Sequence, residues 1–196
     1  MPNSTIYLAI LSALKDSHAT PSADKVKKIN RMIFAYMGPT ASDEVRLSIC
    51  TERDHDGCTL FLSACDLLGN LSSSLNTHDE FVNGIRDQDD EVDGKIKQVL
   101  CELAGSCNML VDEEKVCKLA ITSSGNVPLH HAAYSGNRTA VKWLLVKDSS
   151  HIPPRLDSVN ILNKGGDTPL HFAVSSSRPT LQIVKWVKGD NSGGDR

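Results

Sequence analysis

The chain has 196 residues, a formal net charge of −3 at pH 7 and a sequence pI of about 6.1. This balance offers no basic surface of the kind that binds nucleic acid. No apolar stretch reaches the roughly 18 residues from which a membrane span is predicted, so we expect neither nucleic acid nor a membrane as a partner. The length allows one sizeable hydrophobic core.

Residues 1–50 contain two predicted helices. The first covers 4–14 and is capped by Ser4 or Asn3, and the second covers 23–37, where apolar residues such as Val26 and Ile29 recur at helical spacing. No sequence signature survives in this part of the chain. Residues 1–50 are therefore either a degenerate first repeat or an unrelated helical cap.

The segment 51–124 is predicted to hold one helix pair that is interrupted by a long insertion. Residues 56–65 read Asp-Gly-Cys-Thr-Leu-Phe-Leu-Ser-Ala-Cys and predict the start of a first helix, while 93–103 has the apolar spacing of a second helix. Between them, at about 71–92, lies a polar stretch with an acidic run from Asp87 to Asp93. Loops of this length are usually functional or disordered.

Two stretches further along the chain resemble each other. Residues 125–133 read Gly-Asn-Val-Pro-Leu-His-His-Ala-Ala, and residues 166–173 read Gly-Asp-Thr-Pro-Leu-His-Phe-Ala. In each, a Gly suits a turn with positive φ and a Pro suits the first helical position. Thr168 can cap its helix through the hydroxyl group. Val127 cannot, so we expect that helix start to be weaker by about 1 kcal/mol.

These stretches resemble the ankyrin signature, in which a Gly is followed by Thr-Pro-Leu-His-x-Ala, and 56–65 resembles it in degenerate form. The resemblance implies an all-α solenoid of stacked helix pairs with short hairpin loops. We assign repeats to 125–165 and 166–188 and a disordered tail to 189–196. The interval from Gly125 to Gly166 is 41 residues against the usual 33, so the first of these repeats carries an extra loop within 148–157. The apolar last helix would be a poor terminal cap, so we expect the natural protein to continue beyond residue 196.

Ankyrin arrays bind other proteins and rarely catalyse reactions, so the resemblance implies an adaptor or scaffold module. We expect a monomer without a cofactor, and a cytoplasmic location because a chain of this length with a core does not need disulfides and its six cysteines fit intracellular thiols. Two alternatives stay open. The chain could be the regulatory N-terminal segment of a longer multidomain protein, or an effector that an intracellular microbe secretes into a host cytosol. The His residues of the signatures, His130 and His171, are expected to brace neighbouring hairpins.

The binding surface of ankyrin proteins is the concave row of hairpin tips together with the first helices of the repeats. Tyr134 is the expected anchor, because aromatic residues dominate interface hot spots. Carried over by position, the partner-binding residues are Ser123, Asn126, His131, Tyr134, Lys164, Asp167, Phe172 and Ser175.

Catalytic and metal sites are not predicted. Cys101, Cys107 and Cys117 lack the close Cys pair that structural zinc sites normally contain, so we expect buried structural thiols. Two acidic stretches that begin like calcium loops have Leu100 and Ser63 where a bidentate carboxylate is required. No motif singles out a nucleophile and base among the Cys and His residues.

Overall fold

The computed structural model describes residues 3–20, 22–69, 86–108, 121–145 and 159–176, together with residues 183, 184 and 187. Eight α-helices are bounded within these residues, which contain no strand. The helices are α1 (Asn3–Ala19), α2 (Ala23–Met37), α3 (Asp43–Thr51), α4 (Leu60–Leu67), α5 (Arg86–Asn108), α6 (Pro128–Ser135), α7 (Arg138–Leu145) and α8 (Pro169–Ser175). The predicted all-α class is confirmed.

The helices pack in two rows. In one row α1, α4, α6 and α8 contact one another in succession, and in the other row α2, α5 and α7 do so. Contacts between α1 and α2, α4 and α5, and α6 and α7 join the rows into helix pairs. Residues Ile183 and Val187, which follow α8, belong to the same buried cluster. The pairs therefore share one continuous core, which a single pair could not form alone.

The N-terminal helices follow directly from local sequence. The Ser22 side chain accepts a hydrogen bond from the Asp24 backbone N–H and caps α2. Four apolar residues at helical spacing are buried along α2, namely Val26, Ile29, Ile33 and Met37. The observed helix has the bounds that the apolar spacing predicts. Helix α1 begins at the predicted cap but continues to Ala19, beyond the predicted end at residue 14.

Helix α3 was not predicted. Its N-cap is Ser42, whose side chain accepts a hydrogen bond from the Val45 N–H, and two acidic residues occupy its first turn. It contacts α1, α2, α4 and α5. The buried Arg46 donates to the Gly38 carbonyl at 2.7 Å, which ties α3 to the end of α2. The cap and the acidic first turn were the signals that could have revealed this helix.

Residues 86–92 of the insertion predicted at about 71–92 are helical. Helix α5 begins at Arg86, so the acidic run from Asp87 to Asp93 lies in the first turns of a helix and not in a loop. The helix dipole stabilises acidic side chains in the first turn of a helix. A polar, acidic stretch can therefore begin a helix as well as form the loop that its composition indicated. Residues 70–85 lie outside the described part of the chain, as do the predicted loop at 148–157 and the tail at 189–196.

A helix that crosses a bilayer must be both long and apolar. None of the helices bounded in the described residues combines these two properties.

Candidate functional site

Three hairpin turns have the same backbone hydrogen bonds. The turns are 54–58, 122–126 and 163–167. In each, the first residue donates its N–H to the carbonyl of the fifth, and the fourth donates to the carbonyl of the first, at 2.9 to 3.1 Å. The fourth residue is always a Gly with φ near +80°, a conformation that other L-residues rarely adopt. The three turns are therefore equivalent structural units at unequal sequence intervals.

A polar side chain closes each turn from its first position. The Asp54 carboxylate accepts from the backbone N–H groups of Asp56 and Cys58 at 3.0 and 2.9 Å. The Thr122 hydroxyl accepts from the Asn126 N–H at 3.0 Å. The Asn163 amide oxygen accepts from Gly165 and Asp167, both at 2.9 Å. Short polar side chains that bond the backbone ahead of them are typical of tight turns.

The second and third turns are in direct contact. The Lys164 N–H donates to the Ser124 carbonyl at 2.9 Å, and the Asn163 side chain donates to the Asn126 amide oxygen at 2.8 Å. A Cβ placed on Gly125 would lie 2.9 Å from the Lys164 backbone nitrogen. Gly125 is therefore required for two reasons, its positive φ and the close approach of the next turn.

His130 links the two units through both ring nitrogens. Its Nδ1 accepts the Val127 backbone N–H at 3.2 Å, so in the neutral ring the proton is on Nε2, which donates to the Asp167 carbonyl at 3.0 Å. The ring is fully buried, and burial lowers its pKa from the usual value. A neutral His130 therefore braces α6 against the third turn, as the sequence predicts.

Residues 96–193 match the family model described as ankyrin repeats in three copies. This match covers half of the chain. The chain belongs to the ankyrin-repeat family. No match was found among curated proteins or among solved structures.

The ankyrin signatures start their helices by a route that differs from the prediction. Neither Val127 nor Thr168 caps a first-turn amide through its side chain. The Thr168 hydroxyl lies 2.9 Å from the His171 ring nitrogen, and that nitrogen also accepts the Thr168 backbone N–H at 3.0 Å. His130 does the same for Val127. The signature His thus contacts the backbone N–H of the cap residue in both repeats, and only Thr168 adds a hydroxyl contact. The weaker Val127 helix start stays a prediction.

The degenerate ankyrin match also forms its helix. The Thr59 side chain accepts from the Leu62 N–H at 3.5 Å, and α4 starts at Leu60. Leu62 occupies the place of the signature His and is fully buried. An apolar contact thus replaces the hydrogen bond that His130 makes in the following repeat.

Tyr134 and Phe172 come together as an exposed aromatic pair. Tyr134 lies on α6 with 51% of its surface exposed, and its ring forms a T-shaped contact with Phe172 on α8 at a centroid distance of 6.1 Å. Phe172 is half-buried and contacts the buried His130 ring at 5.0 Å. Two of the predicted partner-binding residues therefore form one rigid surface feature that spans two repeats.

The predicted residues at the hairpin tips differ in how accessible they are. Ser123, Lys164 and Asp167 are exposed, and Ser175 is exposed on α8. Asn126 is half-buried, and its amide oxygen is already bonded to the Asn163 side chain. Three charged or hydroxyl side chains at the tips are therefore free to face solvent, whereas Asn126 serves mainly to join the turns.

His131 lies half-buried on α6. Its Nε2 atom is buried and has no hydrogen-bond partner among the described residues. Burial, reinforced by the neighbouring His130, lowers the pKa of His131 from 6.5 to about 4, although the Asp54 carboxylate opposes the shift. His131 is thus a neutral side chain of α6 that lies near Asp54 of the first turn, and its Nε2 atom is buried.

One group of side chains at the first turn could hold a metal ion. Ligand atoms of Asp54, His55 and Asp56 lie within 4.8 Å of one another. His55 pairs with the Asp56 carboxylate at 3.0 Å, and one Asp54 oxygen accepts two backbone N–H groups. The carboxylates are thus already used in the turn, and the group lies at the surface.

Two of the described thiols are poor nucleophiles. Cys50, Cys58, Cys65 and Cys101 are thiols and not disulfides. Burial raises the pKa of Cys58 to about 11, and it raises the pKa of the fully buried Cys65 further. Since the thiolate is the reactive form, neither thiol is activated at neutral pH. Cys107 and Cys117 have no described side chains.

Leu162 is a surface residue that the sequence analysis did not single out. It lies just before the third turn and is 60% exposed. Leu162 stands directly before the third turn, as Ile121 stands directly before the second. Ile121, in contrast, is half-buried and packs on the core. Alignment of the two turns could have identified it.

Proposed function

We propose that the chain is an adaptor or scaffold module that binds a partner protein on its concave face, defined as the three hairpin tips and the exposed residues of α6 and α8. Ankyrin repeats are in general protein–protein interaction modules. The proposal includes a cytoplasmic location, which the described thiols support because intracellular compartments keep cysteines reduced.

The observation that carries the proposal is the Tyr134–Phe172 pair. Tyrosine side chains are frequent interface hot spots because they bury a large apolar ring and retain a polar hydroxyl group. Tyr134 is half-exposed, its ring contacts Phe172 in a T-shaped arrangement, and Phe172 in turn contacts the buried His130. The ring is therefore presented in a fixed orientation, and binding it costs little side-chain entropy.

The surroundings of this pair support a polar rim. Ser123, Lys164 and Asp167 are exposed at the tips of the second and third turns. They offer a hydroxyl, a cation and a carboxylate to a partner. A central aromatic group with polar residues around it is the arrangement found in protein interfaces. We infer that the partner places an apolar residue on Tyr134 and hydrogen-bonding groups along the tips.

Affinity capture from a lysate with three forms of the chain tests the proposal. The forms are the intact chain, Tyr134→Ala, and the matched control Phe34→Ala, which removes an aromatic ring that is 63% exposed on α2 and lies outside the concave face. Loss of a hot-spot tyrosine weakens binding by about 2 kcal/mol, or roughly 30-fold in Kd. We expect a partner that the intact chain and Phe34→Ala recover equally and Tyr134→Ala recovers poorly.

Equal recovery by Tyr134→Ala would refute the use of this surface, provided that urea unfolding shows all three forms to be equally stable. Recovery that depends on Phe34 and not on Tyr134 would move the binding site to α2. A triple variant, Tyr134→Ala with Lys164→Ala and Asp167→Ala, extends the comparison to the polar rim. We expect it to bind more weakly than the single variant.

A further inference from the structure

A groove of about 770 Å³ opens at the surface between α2, α3 and α5. Helices α2 and α5 belong to the second helix row, whereas the concave face is built from the hairpin tips and from helices of the first row. Helix α3 is additional to the helix pairs and, like α2, precedes the residues 96–193 that match the family model. The groove is therefore separate from the concave face and is formed mainly by the N-terminal part of this chain.

The floor of the groove is apolar. Ile33 and Met37 lie one helical turn apart on α2, and only 1% and 3% of their surfaces are exposed. Phe34 also lines the groove but is 63% exposed, so its ring is at the rim. An exposed aromatic ring beside a buried apolar floor offers a ligand apolar area to cover.

A buried arginine brings spare hydrogen-bond donors to the same groove. The Arg46 side chain is only 9% exposed; its Nη2 donates to the Gly38 carbonyl at 2.7 Å and its Nη1 donates to the Asp43 carboxylate at 3.4 Å. Its Nε has no hydrogen-bond partner among the described residues. A guanidinium group has five N–H donors, and leaving buried donors unpaired is unfavourable. A ligand that brings an oxygen acceptor to Arg46 would satisfy one of them.

Two carboxylates set the charge of the groove. Asp43 and Glu102 both line it, and against the Arg46 guanidinium group they leave one net negative charge among its lining residues. Asp43 already pairs with Arg46. Glu102 on α5 accepts the Gln98 side-chain amide on one oxygen at 2.9 Å, so its other oxygen can accept a further donor. The groove therefore attracts a cationic group and repels an anion.

We propose that the groove binds a short segment of a partner protein in which a large apolar side chain stands beside a Lys or Arg. The apolar side chain packs on Phe34 and on the floor of the groove. A backbone carbonyl of the segment accepts from the Arg46 guanidinium group, and the basic side chain pairs with Glu102. This segment is a second ligand, independent of the protein that binds the concave face.

Other occupants fit the groove less well. A small apolar molecule would cover Phe34 but would give no partner to Arg46 or Glu102. An acidic peptide could accept from Arg46 but would place its charge beside two carboxylates. The rim is also open, since Phe34 is 63% exposed and the Asp43 side chain 78%, whereas small-molecule sites enclose most of their ligand. A basic, apolar peptide matches the shape and the charge together.

Panning of a phage-displayed library of random heptapeptides on the full chain tests the proposal, with fluorescence anisotropy to measure the Kd of the enriched peptides. We expect enriched peptides in which Lys or Arg stands beside a large apolar residue. Their Kd should rise by about ten-fold or more with Phe34→Ala, which removes the aromatic rim. It should rise by about three-fold or more with Glu102→Gln, and this second effect should shrink at high salt.

Two matched variants provide the control. Tyr134→Ala removes an aromatic ring from the concave face, and Glu44→Gln removes the same charge as Glu102→Gln from an exposed position in the first turn of α3. Both should leave the Kd of the enriched peptides unchanged. The proposal is overturned if no enriched peptide depends on Phe34, if the dependent peptides are acidic or lack a basic residue, or if Glu102→Gln and Glu44→Gln act equally.

The Arg46 side chain gives a direct readout of the assigned hydrogen bond. Its Nε–H group can be followed in proton–nitrogen correlation spectra of the full chain as an enriched peptide is added. We expect the guanidinium signal to shift and its exchange with solvent to slow in the saturated complex. A signal that stays unchanged at saturation would place the peptide elsewhere and overturn the proposal.

Discussion

Gly125→Ala should be far more damaging than the chemically identical change Gly57→Ala. Both residues have positive φ, at +82° and +78°, and an alanine in that region costs about 1–2 kcal/mol. At Gly57 the new Cβ would meet no atom closer than 3.7 Å, which is ordinary contact. The Gly57 variant should therefore lose about 1–2 kcal/mol and no more.

At Gly125 the new Cβ would lie 2.9 Å from the Lys164 backbone nitrogen, so the third turn must move away. This movement breaks the Lys164 to Ser124 hydrogen bond and the His130 to Asp167 hydrogen bond, which are worth about 1 kcal/mol each. The total cost is then about 3–4 kcal/mol. The extra loss relative to Gly57→Ala measures how tightly the last two repeats are joined.

Urea unfolding followed by far-ultraviolet circular dichroism gives both free energies of unfolding. Amide exchange at Lys164 adds a local readout, since that N–H should exchange faster in Gly125→Ala and at the original rate in Gly57→Ala. If the two variants differ by less than about 0.5 kcal/mol, which is the scatter expected for independent sites, the inferred contact between the turns is wrong.

Three further predictions concern the core, a cap and pH. Leu129→Ala should lower the free energy of unfolding by about 2–5 kcal/mol, and Leu170→Ala should lower it less, because Leu129 is fully buried and Leu170 is partly exposed. Urea unfolding of both variants measures the two losses, and equal losses would contradict the assigned packing. Asn137→Ala should lower the free energy of unfolding by about 2–4 kcal/mol in thermal or urea melts. The buried Asn137 amide accepts the Ala140 N–H, which caps α7, and donates to the Cys65 carbonyl. A loss near zero would mean that water replaces both hydrogen bonds. The pKa of His131 is about 4 in the folded chain and 6.5 in the unfolded chain. Protonation of His131 therefore leaves the free energy of unfolding unchanged above pH 6.5 and lowers it by about 3 kcal/mol as the pH drops to 4. His131→Gln should reduce this pH dependence without abolishing it, because burial also lowers the pKa of His130; unchanged curves would show that the His131 ring is not buried as described.

The hairpins and their helices were predictable because their signals are local. These signals are a Gly with positive φ, a Pro at the first helical position and the apolar spacing that follows, all within a few residues of one another. Helices α6 and α8 begin at Pro128 and Pro169, as the signals predict. The second helix around 93–103 was predicted from its apolar spacing and lies within α5. The bracing role of His130 followed from the same signature and is observed.

Features that depend on tertiary contacts were harder to predict. The exposure of His131 could not be read from its place beside Tyr134, because its burial depends on the first turn, which lies far away in the sequence. The start of α5 was misplaced because an acidic run suits a loop and a helix N-terminus equally well. Helix α3 was missed because its short apolar pattern is weak, although its Ser42 cap was visible.

The difference between the two signature histidines also required the structure. The sequence places His130 and His171 in the same role, yet His130 is buried against the third turn and His171 is exposed. What separates them is the presence of a neighbouring unit, which no local pattern records.

The most direct test of the central claim is a hydrogen-exchange footprint of the captured partner on the full chain. Binding on the concave face predicts slower exchange at the second and third turns, 122–126 and 163–167, and in the first helix turns of α6 and α8. Exchange in α2 and α3 should stay unchanged. Protection confined to α2 and α3, with both turns unaffected, would contradict the account.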